Sequence, residues 1–420
     1  MLFNIEKKNV YNDINIFSIF LVGILIYFNN ETFPSVFFKG PGQSIFYLFF
    51  ILVVFFFFNV FIKKEKLNKY STYASFVLIT LIFITMLLNQ DFSGGYFKVI
   101  NCILIGYFLS HLISLREFTA SYVRVMLILA LYSLVVTYII RPVTFSMPSS
   151  LAPIIINTAG VSFIDMRLSV VVNDINYFRN FGIFREAGVY QVFLNFALIF
   201  ELFFKKSKVN IITVIVLFLT IISTFSTPGY IAALIILFSF FILPSKKSMP
   251  LDVSIKKNKR IIASSLIIII IVTFFTFLFN DIIKEMVLGT FDKVSEDNSS
   301  FQGRTVAILV NLMVWISNPF FGSGINSLIS TTLELLKNNS SYSTSHNTST
   351  IGALLVVFGS FFTIIFIYYL FKLLNKSKYG KITGVISFLA IMISINTQLL
   401  IYNEIIYTII VFGMLKEKVI

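Results

Sequence analysis

Cysteine is almost absent. The single one, Cys102, lies inside an apolar run of a 420-residue chain. No intramolecular disulfide can form, and no cysteine-based metal site either. Charge is scarce as well, at 12% of residues, and the 19 acids are outnumbered by 33 lysines and arginines. Two histidines and one tryptophan complete the short supply. No soluble domain stands out, and no internal repeat. Phosphate-cradling G-x-x-x-x-G-K-[ST], G-x-G-x-x-G before a strand, H-E-x-x-H, C-x-x-C and G-x-S-x-G are all missing. Outer carboxylates (Asp165, Asp174, Asp292, Glu296, Asp297) show no familiar metal-ligand spacing.

What is present is apolar. Hydrophobic residues make up 57% of the chain and aromatics 17%, with a mean hydropathy of +0.90. Continuous apolar runs recur along the length, the longer ones near the ~20 residues that cross a bilayer. Continuous rather than alternating runs argue for helices and against a barrel. The fold class expected is therefore all-α: a polytopic integral membrane protein forming a single transmembrane domain over 1–420. Spans are predicted at about 14–28, 44–62, 73–88, 95–113, 122–140, 187–204, 209–225, 228–243, 261–279, 351–371, 382–396 and 400–415, about twelve in all. The first run lacks a small-residue cleavage site and reads as a retained span rather than a signal peptide.

The basic residues then orient the chain. With the N-terminus inside, about 23 of the 33 fall in inner segments, including "KKEKLNK" (63–69), "KKSK" (205–208) and "KLLNKSKYGK" (372–381). This is a strong positive-inside pattern with both termini cytoplasmic. It accounts for the net charge of +14 through loops facing anionic lipid and calls for no nucleic acid. Two outer loops are long, about 141–186 and 280–350, and loops of that length usually carry function. Within the second, "RTVAILVNLMVWI" (304–316) is apolar yet too short to span and reads as an interfacial or re-entrant helix.

Chemistry-bearing residues concentrate on that outer face. Its arginines all fall in the two long loops. Arginine suits planar, bidentate contact with phosphate, so an anionic ligand is expected there. Arg141, at a helix end, reads as a snorkelling residue. Arg185 and Arg304 read as functional, Arg185 because it opens an apolar helix in "NFGIFREAGVY" (180–190), Arg304 because it follows Gly303. Glu186 has three readings: a first-turn acid favoured by the helix dipole, a partner of Arg185, or a substrate ligand. His111 reads as structural. His346, just before a span whose opening residues Ser345, Thr348 and Ser349 are candidate caps, is either a neutral general base or a surface histidine without a role. Few ionisable groups lie within the spans, which weighs against an ion-coupled transporter.

Four stretches together resemble the O-antigen polymerase (Wzy-type) family, within the O-antigen ligase/polymerase superfamily. They are "FREAGVYQVFLNFALI" (184–199), "STFSTPGYIAALIIL" (223–237), "GRTVAILVNLMVWISNPFFGSGINS" (303–327) and "SHNTSTIGALLVVFGSFFTIIF" (345–366). The resemblance implies a glycosyltransferase of the bacterial plasma (inner) membrane, with its active site on the periplasmic face. It would join undecaprenyl-pyrophosphate-linked oligosaccharide repeat units into O-antigen or a related surface polysaccharide. The fold implied is similar to other membrane glycosyltransferases with lipid-linked donors, the outer loops carrying short interfacial helices and forming the catalytic face. By motif match, Arg185 and Arg304 would hold the pyrophosphate and His346 would be the base. Arg179, Glu186, Tyr190 and Asn347 would contact substrate, with Arg179 an alternative to Arg185 as the key arginine. Tyr177 is a further aromatic for stacking on sugar. No metal or other cofactor is called for, and the protein partner implied is a chain-length regulator. The alternatives are an O-antigen ligase-type transferase and a lipid-linked oligosaccharide flippase.

Overall fold

The computed structural model describes residues 15–34, 41–62, 64, 67–148, 150–156, 161–174, 177–205, 209–242, 262, 264, 299–330, 334 and 348–416. Within them the chain is mostly helical. The helices are α1 (Ile16–Tyr27), α2 (Pro41–Phe57, extended by a π-helical turn Phe58–Ile62), α3 (Lys69–Leu88), α4 (Gly94–Leu112), α5 (Leu115–Thr144) and α6 (Ala187–Phe204). After these come α7 (Ile211–Ser223), α8 (Thr227–Ile242), α9 (Ser299–Ser317), α10 (Gly324–Ile329), α11 (Thr350–Leu374), α12 (Lys381–Ile395) and α13 (Glu404–Met414). Among the described residues six helices are long and apolar enough to cross a membrane: the segment Ser44–Ile62, and α3, α4, α5, α6 and α11. Shorter apolar helices match most other predicted spans. The span predicted at 261–279 lies outside the described residues, apart from Ile262 and Ser264.

Helix starts follow the polar punctuation between apolar runs. Asn15, Asn68, Asn210 and Asn403 each cap the helix that follows by accepting backbone N–H groups. Ser114 and Glu117 form a reciprocal capping box, which begins α5 at Leu115, a full two turns before the predicted 122. Every residue of α6 is buried, with α5, α7, α8 and α12 packed around it. A helix so enclosed can carry Gln191 and Asn195 inside the bundle: Asn195 donates to the Gln191 side-chain oxygen at 3.0 Å, and the Ser394 hydroxyl of α12 reaches that same oxygen at 3.2 Å.

The first long loop departs from expectation. It was expected to hold short interfacial helices; instead it folds into an antiparallel meander of β1 (Ile154–Ile156), β2 (Ser162–Asp165) and β3 (Val170–Val172), with Ile154 opposite Ile164 and Phe163 opposite Val172. The strands "III" and "VVV" are β-branched runs too short for a helix, which favour a pleated surface. Phe33, Phe163, Phe181 and Ala187 form a small separate core that seats the sheet on the opening of α6.

The apolar stretch 304–316 belongs to the longer α9, which runs parallel to α11. Asn311 meets Gly352 near the start of α11, and the turn after α9 meets its middle. There α11 is broken at Gly359, whose φ of 72° is left-handed. The turn 318–323 fills the break. Ser360 N–H donates to the Pro319 carbonyl at 2.8 Å, Ser323 N–H to the Val356 carbonyl at 2.7 Å, and the Trp315 indole to the Pro319 carbonyl at 3.0 Å. Non-helical backbone at that depth is tolerated because protein groups satisfy it.

Contacts also sort the connecting segments into two ends. At one, residues 29–33 meet 183–185 and 403–404, Arg179 meets Thr224, and Thr350 meets Gln398. At the other, Lys376 donates to the Phe412 and Leu415 carbonyls, Lys378 to that of Lys205, and the Asn68 N–H to His111 Nε2. The two sets of contacts lie at opposite ends of the helices they join, and at the second end His111 Nε2 accepts from the residue that caps α3.

Candidate functional site

Segment 179–188 is stitched down on three sides. Asn180, fully buried, donates to the hydroxyls of Ser133 and Ser223, each at 3.0 Å. The Val170 N–H reaches the Gly182 carbonyl at 2.7 Å, tying the segment to β3. On the third side Phe33 N–H donates to the Ile183 carbonyl and Arg185 N–H to the Glu31 carbonyl, both at 2.9 Å. A loop fixed by this many backbone bonds holds its side chains in place.

Arg185 is paired, but not with its neighbour Glu186. Its Nε meets the carboxylate of Glu31, a residue from the turn after α1. The two differ in exposure: the Arg185 side chain is 44% exposed and that of Glu31 only 4%. Burial pushes the Glu31 carboxyl above its usual range, and the Arg185 charge pulls it back. Beneath the pair, the Glu31 N–H donates to Asn29 Oδ1 at 2.9 Å, Asn29 Nδ2 to the Glu404 carboxylate at 2.7 Å, and Asn403 Nδ2 to Asn29 Oδ1 at 3.0 Å. The Arg185 side chain nevertheless remains half-exposed, which leaves it accessible to a planar anion.

Glu186 is the N-cap residue of α6, with extended backbone, yet its side chain makes no capping bond and is exposed. One of its three sequence readings therefore falls away, the partner of Arg185, while an acid at the N-cap is still favoured by the helix dipole. Arg179 is held by a 2.7 Å bond from Nε to the Thr224 carbonyl. All three residues line one cleft of about 590 Å³, within the ~300–1,000 Å³ of small-molecule sites. Its other walls come from the sheet and the segment leaving it (Ser162, Asn173, Asp174, Tyr177), from Ser226 before α8 and from Gln398 between α12 and α13. Gly188 lets Gln398 approach: a Cβ there would sit 2.2 Å from the Gln398 amide nitrogen.

Tyr190 is a correction. Expected to contact substrate, it is fully buried, stacked on Phe184 at 5.3 Å, with its hydroxyl 3.2 Å from Ser133 and its ring beneath Gly182. One turn into α6, it faces the core. Arg141 is another. Instead of snorkelling it is buried, its guanidinium 4.8 Å from the Phe178 ring and donating to the Asp174 carbonyl. Arg304 lies on α9, two turns before Asn311, so its backbone is at the cleft end, while its side chain is outside the described residues. His346 and Asn347 also lie outside them. The chain re-enters at Thr348, and Thr350 donates to the carbonyl of the cleft residue Gln398. Glu31 and Gln398 escaped the sequence reading, because both reach the site from turns far along the chain.

This arrangement sets two guanidinium groups beside the N-terminus of a helix, where backbone N–H groups and the helix dipole favour an anion. Comparison with curated proteins gives no match. The O-antigen ligase family model matches residues 212–352, a third of the chain, spanning α7 to the start of α11 and including Arg304, His346 and Asn347. With the apolar helices around it, that match supports a multi-pass membrane enzyme of the O-antigen ligase/polymerase superfamily, glycosyltransferase-like in activity and at work in surface-polysaccharide biosynthesis.

Proposed function

We propose that the protein is the polymerase of this superfamily: it transfers a growing chain from undecaprenyl pyrophosphate to a sugar hydroxyl of the next lipid-linked repeat unit. The observation that carries the reading is the convergence of Arg179 and Arg185 on one cleft at the start of α6. Pyrophosphate is already a good leaving group. Catalysis then needs neutralisation of the charge that develops on it and a base for the acceptor hydroxyl. Arg185, Arg179 and Arg304 would supply the first, without a metal. His346 would supply the second, with Asn347 beside it and Glu186 on the acceptor. The cleft would open on the periplasmic face of the plasma membrane, so that the lipid tail stays in the bilayer while the sugars reach the loops. A chain-length regulator would act as partner.

The lipid-linked glycans of a deletion strain test this reading. Capped single repeat units are the expected result. Full-length chains left on the lipid would instead make the protein a ligase, and repeat units trapped on the inner leaflet a flippase.

A further inference from the structure

The cleft lining holds two chemically different sets of side chains. One is Arg179 and Arg185, the only cations among the described residues that line it, together with the opening of α6. The other comes from the sheet and its exit: Ser162, Asn173, Asp174 and Tyr177. An exposed aromatic ring beside an amide, a carboxylate and a hydroxyl is poorly suited to an anion. It suits a ring that is apolar on its faces and hydroxylated at its edge, since the aromatic takes the face and the polar groups take paired hydroxyls.

This second set is also held in place. Buried Arg141 donates to the Asp174 carbonyl and lies over the Phe178 ring, and the Tyr138 hydroxyl donates to the Phe178 carbonyl at 3.3 Å. A buried guanidinium is an expensive way to hold a loop, and here it ties Asp174 to Phe178. We propose that the part of the lining formed by Asn173, Asp174 and Tyr177 is a sugar subsite that binds a glycosyl ring of the lipid-linked oligosaccharide, in the same cleft as the arginines that take its diphosphate. The inference rests on the proposed function for the identity of the glycan, and Arg141 serves as a positioning residue for the subsite.

The test uses the purified full-length protein and two separate probes: inorganic pyrophosphate, and the host's repeat-unit oligosaccharide freed from its lipid diphosphate by mild acid. Tyr177→Ala and Asn173→Ala should each weaken oligosaccharide binding by about five-fold or more and leave pyrophosphate binding within about two-fold, while Tyr177→Phe, which keeps the ring, stays near wild type. Arg179→Ala and Arg185→Ala should show the opposite pattern. The subsite is overturned if the wild-type protein binds no oligosaccharide, or if Tyr177→Ala and Asn173→Ala bind it as wild type does. If pyrophosphate binding survives loss of both arginines while those two variants still lose the oligosaccharide, the diphosphate assignment fails and the sugar subsite stands.

Discussion

Arg185 is joined to a carboxylate far more buried than itself, and this shapes what its removal does. Arg185→Ala leaves Glu31 buried without its cation. Breaking a fully buried pair costs about 3–5 kcal/mol, and the half-exposed guanidinium reduces the expected loss to about 1–3 kcal/mol. The loss should depend on pH. Burial already raises the Glu31 carboxyl, and without Arg185 it rises further. A carboxyl raised on folding favours the protonated state, so its stability contribution is present at low pH and lost as pH rises through the folded value. Melting of Arg185→Ala in detergent should therefore approach wild type as pH is lowered. Adding Glu31→Gln, which removes the stranded charge, should restore most of the stability at neutral pH. An equal melting deficit at all pH values would contradict this account of the pair.

At the scale of elements, the break in α11 locks α9 and its turn to the helix that follows the second long loop. Gly359 has left-handed backbone, and a Cβ there would lie 2.3 Å from the Phe320 carbonyl oxygen. Neither problem can be relieved by a side-chain rotation, because the obstruction is backbone. Gly359→Ala should destabilise the protein by about 2–4 kcal/mol, read as a lower melting temperature of the purified protein. Gly23→Ala is the control, since a Cβ at that glycine meets nothing within 4 Å. The same element shows where sequence reading stops. "RTVAILVNLMVWI" carried a clear apolar signal, yet the break lies in "VVFGSFF", where one glycine in an apolar run looks like any other. The meander was illegible for a related reason. Its strands are three or four residues long, too short for any period to develop.

For the molecule as a whole, apolar runs and asparagine caps made the helices legible: the predicted span 187–204 coincides with α6, and 382–396 nearly so with α12. Arg179, Arg185 and Glu186 were visible because charge is rare beside an apolar helix. Glu31, Gln398 and the role of Arg141 were not, since each depends on tertiary contacts between distant turns. The basic loops predict a sidedness that can be tested with the chain's single cysteine in place. Cys102 is buried, so it should stay silent. Tyr177→Cys should react with a membrane-impermeant maleimide in intact spheroplasts, and Lys381→Cys, at the opposite end, only after lysis. Labelling of Lys381→Cys in intact spheroplasts would reverse the topology.

The central claim, that Arg185 acts on a lipid-linked diphosphate and does more than hold the fold, is tested by one reconstitution. Protein in proteoliposomes is supplied with the undecaprenyl-pyrophosphate-linked repeat unit and its products are followed by gel over time. The wild type should build a ladder of chains. The stability-restored double variant Glu31→Gln/Arg185→Ala should remain folded and lose about 100-fold or more in rate, the loss expected when a charge-stabilising donor is removed. A ladder at the wild-type rate from that double variant would contradict the account.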